Sequence, residues 1–117
     1  MPNRMDMFNN LGGTIAAGGS LSQTFDLEGY QYQGLILSPT SGTLTAGTVQ
    51  FRVSVDNVTF VPLMDSTNTR VGYPFSTTAL AYSAAALAVI APYRYVKLET
   101  SNAQGNGVNA RIPVKLI

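Results

Sequence analysis

Apolar residues recur at every second position through most of this chain, and no stretch carries them at helical spacing over the length of a crossover helix. The last segment shows the pattern plainly: Val108, Ala110, Ile112, Val114 and Leu116 alternate with Asn109, Arg111, Pro113 and Lys115. Successive side chains of a β-strand point to opposite faces, so this alternation describes strands with one buried and one wetted face. Leu21, Phe25 and Leu27 share a face against Ser22, Thr24 and Asp26. Val49, Phe51, Val53 and Val55 alternate with Gln50, Arg52 and Ser54, and Val96 and Leu98 stand opposite Tyr95, Lys97 and Glu99. Leu35, Ile36 and Leu37 run consecutively, which predicts a strand covered on both faces or buried at the centre of a sandwich.

Turn residues separate these segments. Gly29 turns the chain after the first of them, and a loop rich in Ser, Thr, Gly and Pro occupies residues 38–47. Asp56-Asn57 predicts a two-residue hairpin turn, because both side chains tolerate positive φ, with residues 58–64 as the returning strand. Residues 70–75 and 77–82 predict short strands around Pro74. The alanine-rich stretch 78–91, with Leu80, Ala84, Leu87 and Ala91 at helical spacing, predicts at most one helical turn before Pro92. It is also shorter than the ~20 apolar residues of a membrane-spanning helix. Pro113 lacks a ladder donor, so the last strand is expected at a sheet edge, or with that position turned away from its partner. An edge there would be a surface for pairing with another subunit.

The expected fold class is all-β, an antiparallel β-sandwich or jelly roll of about seven or eight short strands. A length of 117 residues suits one core. Residues 1–20, with Asn9-Asn10, Gly12-Gly13 and Gly18-Gly19, read as a flexible, extended N-terminal arm, and residues 21–117 as a single sandwich domain. Residues 1–19 carry no charged stretch followed by an apolar run, so secretion by a signal peptide is not expected and synthesis in a cytoplasm is.

The chain contains no histidine, cysteine or tryptophan, and only 11% of its residues are charged. Acid-base catalysis near neutral pH usually draws on His, and soft-metal sites draw on His or Cys, so the composition points to structure or binding rather than to an enzyme. No catalytic, cofactor-binding or metal-binding residue is assigned. A net charge of +1 without clustered Lys or Arg argues against nucleic acid as a partner, and it removes the self-repulsion that keeps copies apart.

Residues with chemical potential each have a structural reading that is preferred. Asp56, a conceivable calcium ligand, is read as a turn former. Asp26 and Glu28 have the spacing of paired carboxylates on one face and are read as solvated. Tyr30, Tyr32, Tyr73, Tyr82, Tyr93 and Tyr95 have the chemistry to stack on sugars and equally suit half-buried strand positions and subunit contacts. Arg94 and Lys97 fall on opposite faces of one strand. The Gly12-Gly13 and Gly18-Gly19 pairs lack the context of a phosphate loop and read as flexible joints.

Two segments carry a resemblance. FRVSVDNVTFVPL over residues 51–63 is similar to the strand, Asp-Gly or Asp-Asn turn, aromatic, Pro-Leu hairpin of virion β-sandwich proteins of tailed bacteriophages. PYRYVKL over residues 92–98 resembles a late strand of the same proteins and of discoidin-like, galactose-binding-like jelly rolls. Together they fall within residues 48–117. The chain departs from the pattern at Phe60, where a tryptophan is common, and at Asn57 in place of glycine, and it has no acidic cluster for calcium.

The resemblance implies a noncatalytic virion structural protein, first of all a capsid decoration (cement) protein that binds and stabilises the assembled head. The alternatives are a tail or baseplate subunit, or a glycan-binding module for host attachment. The implied partners are the major capsid protein or neighbouring virion subunits and further copies of the chain in a homo-oligomer, with no nucleic acid, membrane or cofactor. The expected location is the virion, and the expected intersubunit contacts are the arm and the edge of residues 108–117.

Overall fold

The computed structural model describes residues 8–116, and they form two antiparallel sheets packed face to face. Ten strands follow in chain order: β1 (Phe8–Ile15), β2 (Leu21–Asp26), β3 (Tyr30–Tyr32), β4 (Gly34–Pro39), β5 (Gly47–Ser54), β6 (Val61–Pro62), β7 (Gly72–Phe75), β8 (Leu80–Ser83), β9 (Tyr95–Thr100) and β10 (Val108–Leu116). The first sheet runs β1-β10-β4-β8, with β3 also on β10, and the second runs β2-β9-β5-β6, with β7 also on β5. A single 3-10 turn, Ala86–Ile90, is the helical element of the described residues and matches the one turn expected before Pro92.

The alternation is realised in β5, β9 and β10 but not at the start of β2, where the register shifts between Leu21 and Thr24, Leu21 is 43% exposed and Ser22 is buried. Val49, Phe51 and Val53 of β5, Val96 and Leu98 of β9, and Val108, Ala110, Ile112 and Val114 of β10 are all buried between the sheets. Each fully buried side chain of this size contributes about 1.5–3 kcal/mol. Leu44, Leu63, Leu87 and Ile90 join the core from outside the strands.

Four further expectations are corrected. β10 is not an edge strand: β1 pairs along its whole length on one side and β3 and β4 on the other. Pro113 is accommodated because its partner bulges there. Three steps along β10, from Val114 to Arg111, match four along the neighbour, from Tyr32 to Ile36, so Gln33 and Gly34 share the position opposite Pro113. The Pro113 carbonyl accepts from the Gln33 N–H at 2.8 Å, and the donor that proline lacks faces this irregularity.

The boundary at residue 20 is not observed. Residues 8–15 form β1, Ile15 is fully buried, and the chain crosses to the second sheet through a tight turn in which Gly18 has φ +81°. Gly13 is a packing position rather than a joint, since a Cβ there would lie 2.8 Å from the Phe25 ring. The part of the arm at residues 1–7 lies outside the described residues.

The Leu35-Ile36-Leu37 run is covered on one face only: Leu35 and Leu37 are buried while Ile36 is 39% exposed. The expected tight hairpin is a wider loop, in which β6 spans two residues and only Arg52↔Pro62 and Val53↔Val61 pair.

Candidate functional site

The widened loop between β5 and β6 presents the most exposed apolar side chains of the described residues. Val55 is 77% exposed and Val58 80%. They stand outside because the polar side chains of the loop are turned inward onto its own backbone. Ser54, buried at the end of β5, accepts through Oγ from the N–H groups of Asp56 (3.3 Å) and Asn57 (3.0 Å) and donates to Asp56 Oδ1 at 2.9 Å. Asp56 Oδ1 in turn accepts from the N–H groups of Val58 (2.9 Å) and Thr59 (3.0 Å). Asn57 takes φ +61°, the conformation Asn tolerates best after glycine. The result is a braced tip with a valine surface. Behind it, a depression of about 240 Å³ is lined by Val53, Val55, Thr59, Val61 and Tyr93.

The next turn repeats the device, with Asp65 Oδ1 accepting from the N–H groups of Thr67 (2.8 Å) and Thr69 (3.0 Å) and Asn68 at φ +61°. Asp56 is thus placed as the turn former read from the sequence.

The outer face of the second sheet is a charged lattice: Glu99 pairs with Arg52 and Arg70, and Lys97 Nζ lies 4.1 Å from the centre of the Phe60 ring. Asp26 and Glu28 do lie together, as their spacing allowed, and both are solvent-exposed, as read, while pairing with Arg94. The Arg94 guanidinium, and then the Glu28 N–H, hold the Asp26 carboxyl below its ordinary value of 3.8. Asp26 is therefore ionised at neutral pH and has no proton to donate.

Backbone N–H groups of Thr59 and Val58 lower Asp56, and the Thr67 hydroxyl followed by the Thr69 and Thr67 N–H groups lowers Asp65. A carboxyl lowered on folding adds stability above its unfolded pKa and loses it as pH falls through the folded one. With no histidine in the chain, the thermal midpoint is expected to be flat from about pH 5 to 8 and to fall below pH ~4. Calorimetry across that range checks this, and a transition near pH 6–7 would contradict it.

The six tyrosines are dispersed. Phe51, Tyr73 and Tyr82 form an aromatic series with ring centres 6.3 and 5.5 Å apart, and the Tyr82 hydroxyl donates to the Pro74 carbonyl at 3.1 Å. Tyr93 underlies the valine tip, and Arg94 stacks on Tyr95 at 4.8 Å. Tyr30 and Tyr32 alone share a larger depression, of about 720 Å³, whose other wall is Ala84, Ala85, Ala88 and Ala91. Burial raises the Tyr32 hydroxyl above its ordinary value of 10.0. Among the described residues no three acidic side chains gather as a metal site, and no helix is long and apolar enough to cross a membrane.

Fold and surface together define an antiparallel β-sandwich whose distinguishing exposed feature, among the described residues, is a braced apolar tip. The chain is similar to the SPBc2 prophage-derived protein YomS, with 17% identity over 92% of this chain and 95% of that one and a TM-score of 0.51. A weaker likeness, at a TM-score of 0.45 and 15% identity over 91% of this chain and 76% of the other, is to CBM32-1 from a family 31 glycoside hydrolase of Clostridium perfringens. No protein-family model and no curated protein sequence matches the chain.

Proposed function

We propose that the chain is a noncatalytic bacteriophage virion structural protein, a capsid decoration protein that docks on the assembled head and stabilises it. The observation that carries this reading is the braced tip. An apolar surface that is already ordered loses little conformational freedom when it is buried, so most of its hydrophobic contribution appears as binding. A protein that binds only the assembled lattice stabilises that lattice by mass action, and several linked copies add avidity. The prophage protein that shares the sandwich supports the phage assignment at the level of the fold.

Val58→Asp is expected to weaken particle binding by about 100-fold or more, the equivalent of ~3 kcal/mol. The change replaces buried apolar area with an unpaired carboxylate at the contact. Its thermal midpoint should match that of the parent, because Val58 makes no core contact and is 80% exposed. Co-sedimentation of parent and variant with phage heads lacking the protein is the test. Saturable binding of the parent, lost in the variant, supports decoration, whereas binding to isolated tails alone makes it a tail subunit. Binding to neither particle, with saturation on a glycan array instead, overturns the virion reading in favour of a glycan-binding module.

A further inference from the structure

The open edge of β3 lies where the first sheet is one strand short. β8 pairs with β4 from Leu37↔Leu80 to Gly34↔Ser83 and stops at the bulge, and the chain then turns into Ala86–Ile90. Beyond the bulge, β3 pairs with β10 on one side, and among the described residues no strand pairs with it on the other. In place of a strand, Ala84, Ala85, Ala88 and Ala91 face Tyr30, Gln31 and Tyr32 across the 720 Å³ depression. The alanines end at Cβ and leave the slot open, and its volume lies within the range of sites that hold ligands. An unpaired edge beside an apolar wall is suited to an added strand, whose backbone completes the ladder while alternate side chains fill the wall.

The chain holds a segment of matching chemistry. Residues 1–7, MPNRMDM, contain three of its four methionines. Met5 and Met7 alternate with Arg4 and Asp6, so as a strand they fall on one face and the charges on the other. Methionine is unbranched and polarizable, fits irregular apolar gaps and makes favourable contacts with aromatic rings.

Geometry favours a second copy as the donor. β1 begins at Phe8, paired with Lys115 on the side of β10 away from β3. With strands ~4.8 Å apart, the open slot beyond β3 lies three spacings, about 14 Å, from β1. Doubling back within one copy would take about four residues at ~3.3 Å each, so residues 4–7 would span the crossing and Met5 and Met7 would fall short of the slot. A segment from a neighbouring copy enters without that detour. We propose that residues 1–7 of one copy add as a strand to the β3 edge of another, with Met5 and Met7 against the alanine wall. This names the homo-oligomer contact within the virion reading above, and it is tested without particles, so its outcome and that of head binding are separate.

The chain has no cysteine, so introduced thiols are unique. Met5→Cys and Ala88→Cys are made singly in the full chain, co-refolded in equal amounts and oxidised. Ala88 is exposed, and an unchanged thermal midpoint shows that the variant folds. The expected product is a covalent dimer holding one copy of each variant, and deletion of residues 2–7 is expected to reduce the mass measured by light scattering to that of a single chain. An oligomer whose mass survives the deletion, an absence of the mixed dimer, or an intrachain disulfide formed in the Met5→Cys/Ala88→Cys double variant would each overturn the proposal.

Discussion

Phe51→Ala is expected to lower the unfolding free energy by about 3–5 kcal/mol, a large share of the ~5–15 kcal/mol available to a domain of this size. Phe51 sits near the middle of β5 with no exposed surface, and its ring meets the edge of Tyr73 at 6.3 Å. Its backbone pairs with Leu98 of β9, and its carbonyl accepts from the Leu63 N–H at 3.0 Å, so the strands on both sides hold the position rigidly. A rigid surround collapses little around a missing ring, and the cavity cost then adds to the lost transfer energy. Urea titration with an unchanged slope would measure it directly. A loss under 1 kcal/mol would mean that the two sheets close over the gap, and the interior would have to be regarded as adaptable.

Gln104→Ala is expected to cost about 2–3 kcal/mol although the residue lies in a loop. Gln104 is 1% exposed, and its amide treats Thr45 as a strand neighbour would: Oε1 accepts from the Thr45 N–H and Nε2 donates to the Thr45 carbonyl, both at 2.9 Å. Its own backbone accepts from the Gly18 N–H at 2.7 Å and donates to the Gly19 carbonyl at 2.9 Å. One residue therefore ties three connections together at one end of the sandwich. Truncation leaves the two Thr45 groups without partners, at about 1–3 kcal/mol each when water cannot replace them, and Thr45 is partly reachable by water.

Gln104→Glu gives a sharper reading of the same site. A protonated carboxyl can both accept from and donate to Thr45, whereas a carboxylate turns an oxygen toward the Thr45 carbonyl. Its folded pKa is therefore raised, and the stability of this variant should decline as pH rises above the unfolded value of about 4.3. That is the opposite of the trend set by Asp26, Asp56 and Asp65. Denaturation of parent and variant at pH 4 and pH 7 would show whether the two trends cross.

Much of the candidate tip was legible in residues 51–63. Ser54, Asp56 and Asn57 are turn formers at local spacing, and their hydrogen bonds span at most three residues. The exposure of Val55 and Val58 was not legible, because alternation assigns Val55 to the buried face and only the end of the β5 ladder at Ser54 releases it. Gln104 gave no signal at all: its partner lies 59 residues away, and a lone Gln between Ala103 and Gly105 reads as solvated loop. Asp26 and Glu28 were separated by one residue in sequence, but the Arg94 that pairs with both comes from 68 residues beyond Asp26.

The all-β class and the buried faces of β5, β9 and β10 were determined by the sequence alone, since side-chain alternation and turn chemistry are local properties of the backbone, whereas β1 and the inward turn of Ser22 in β2 were not. Which strand became central was decided only in the tertiary structure. β10 has the Pro113 of an edge strand and lies between partners because a one-residue bulge at Gln33 and Gly34 meets the proline. The same bulge separates β3 from β8 and opens the slot beside Tyr30 and Tyr32. Pairing and register depend on contacts between residues tens of positions apart, and no local pattern in the chain encodes them.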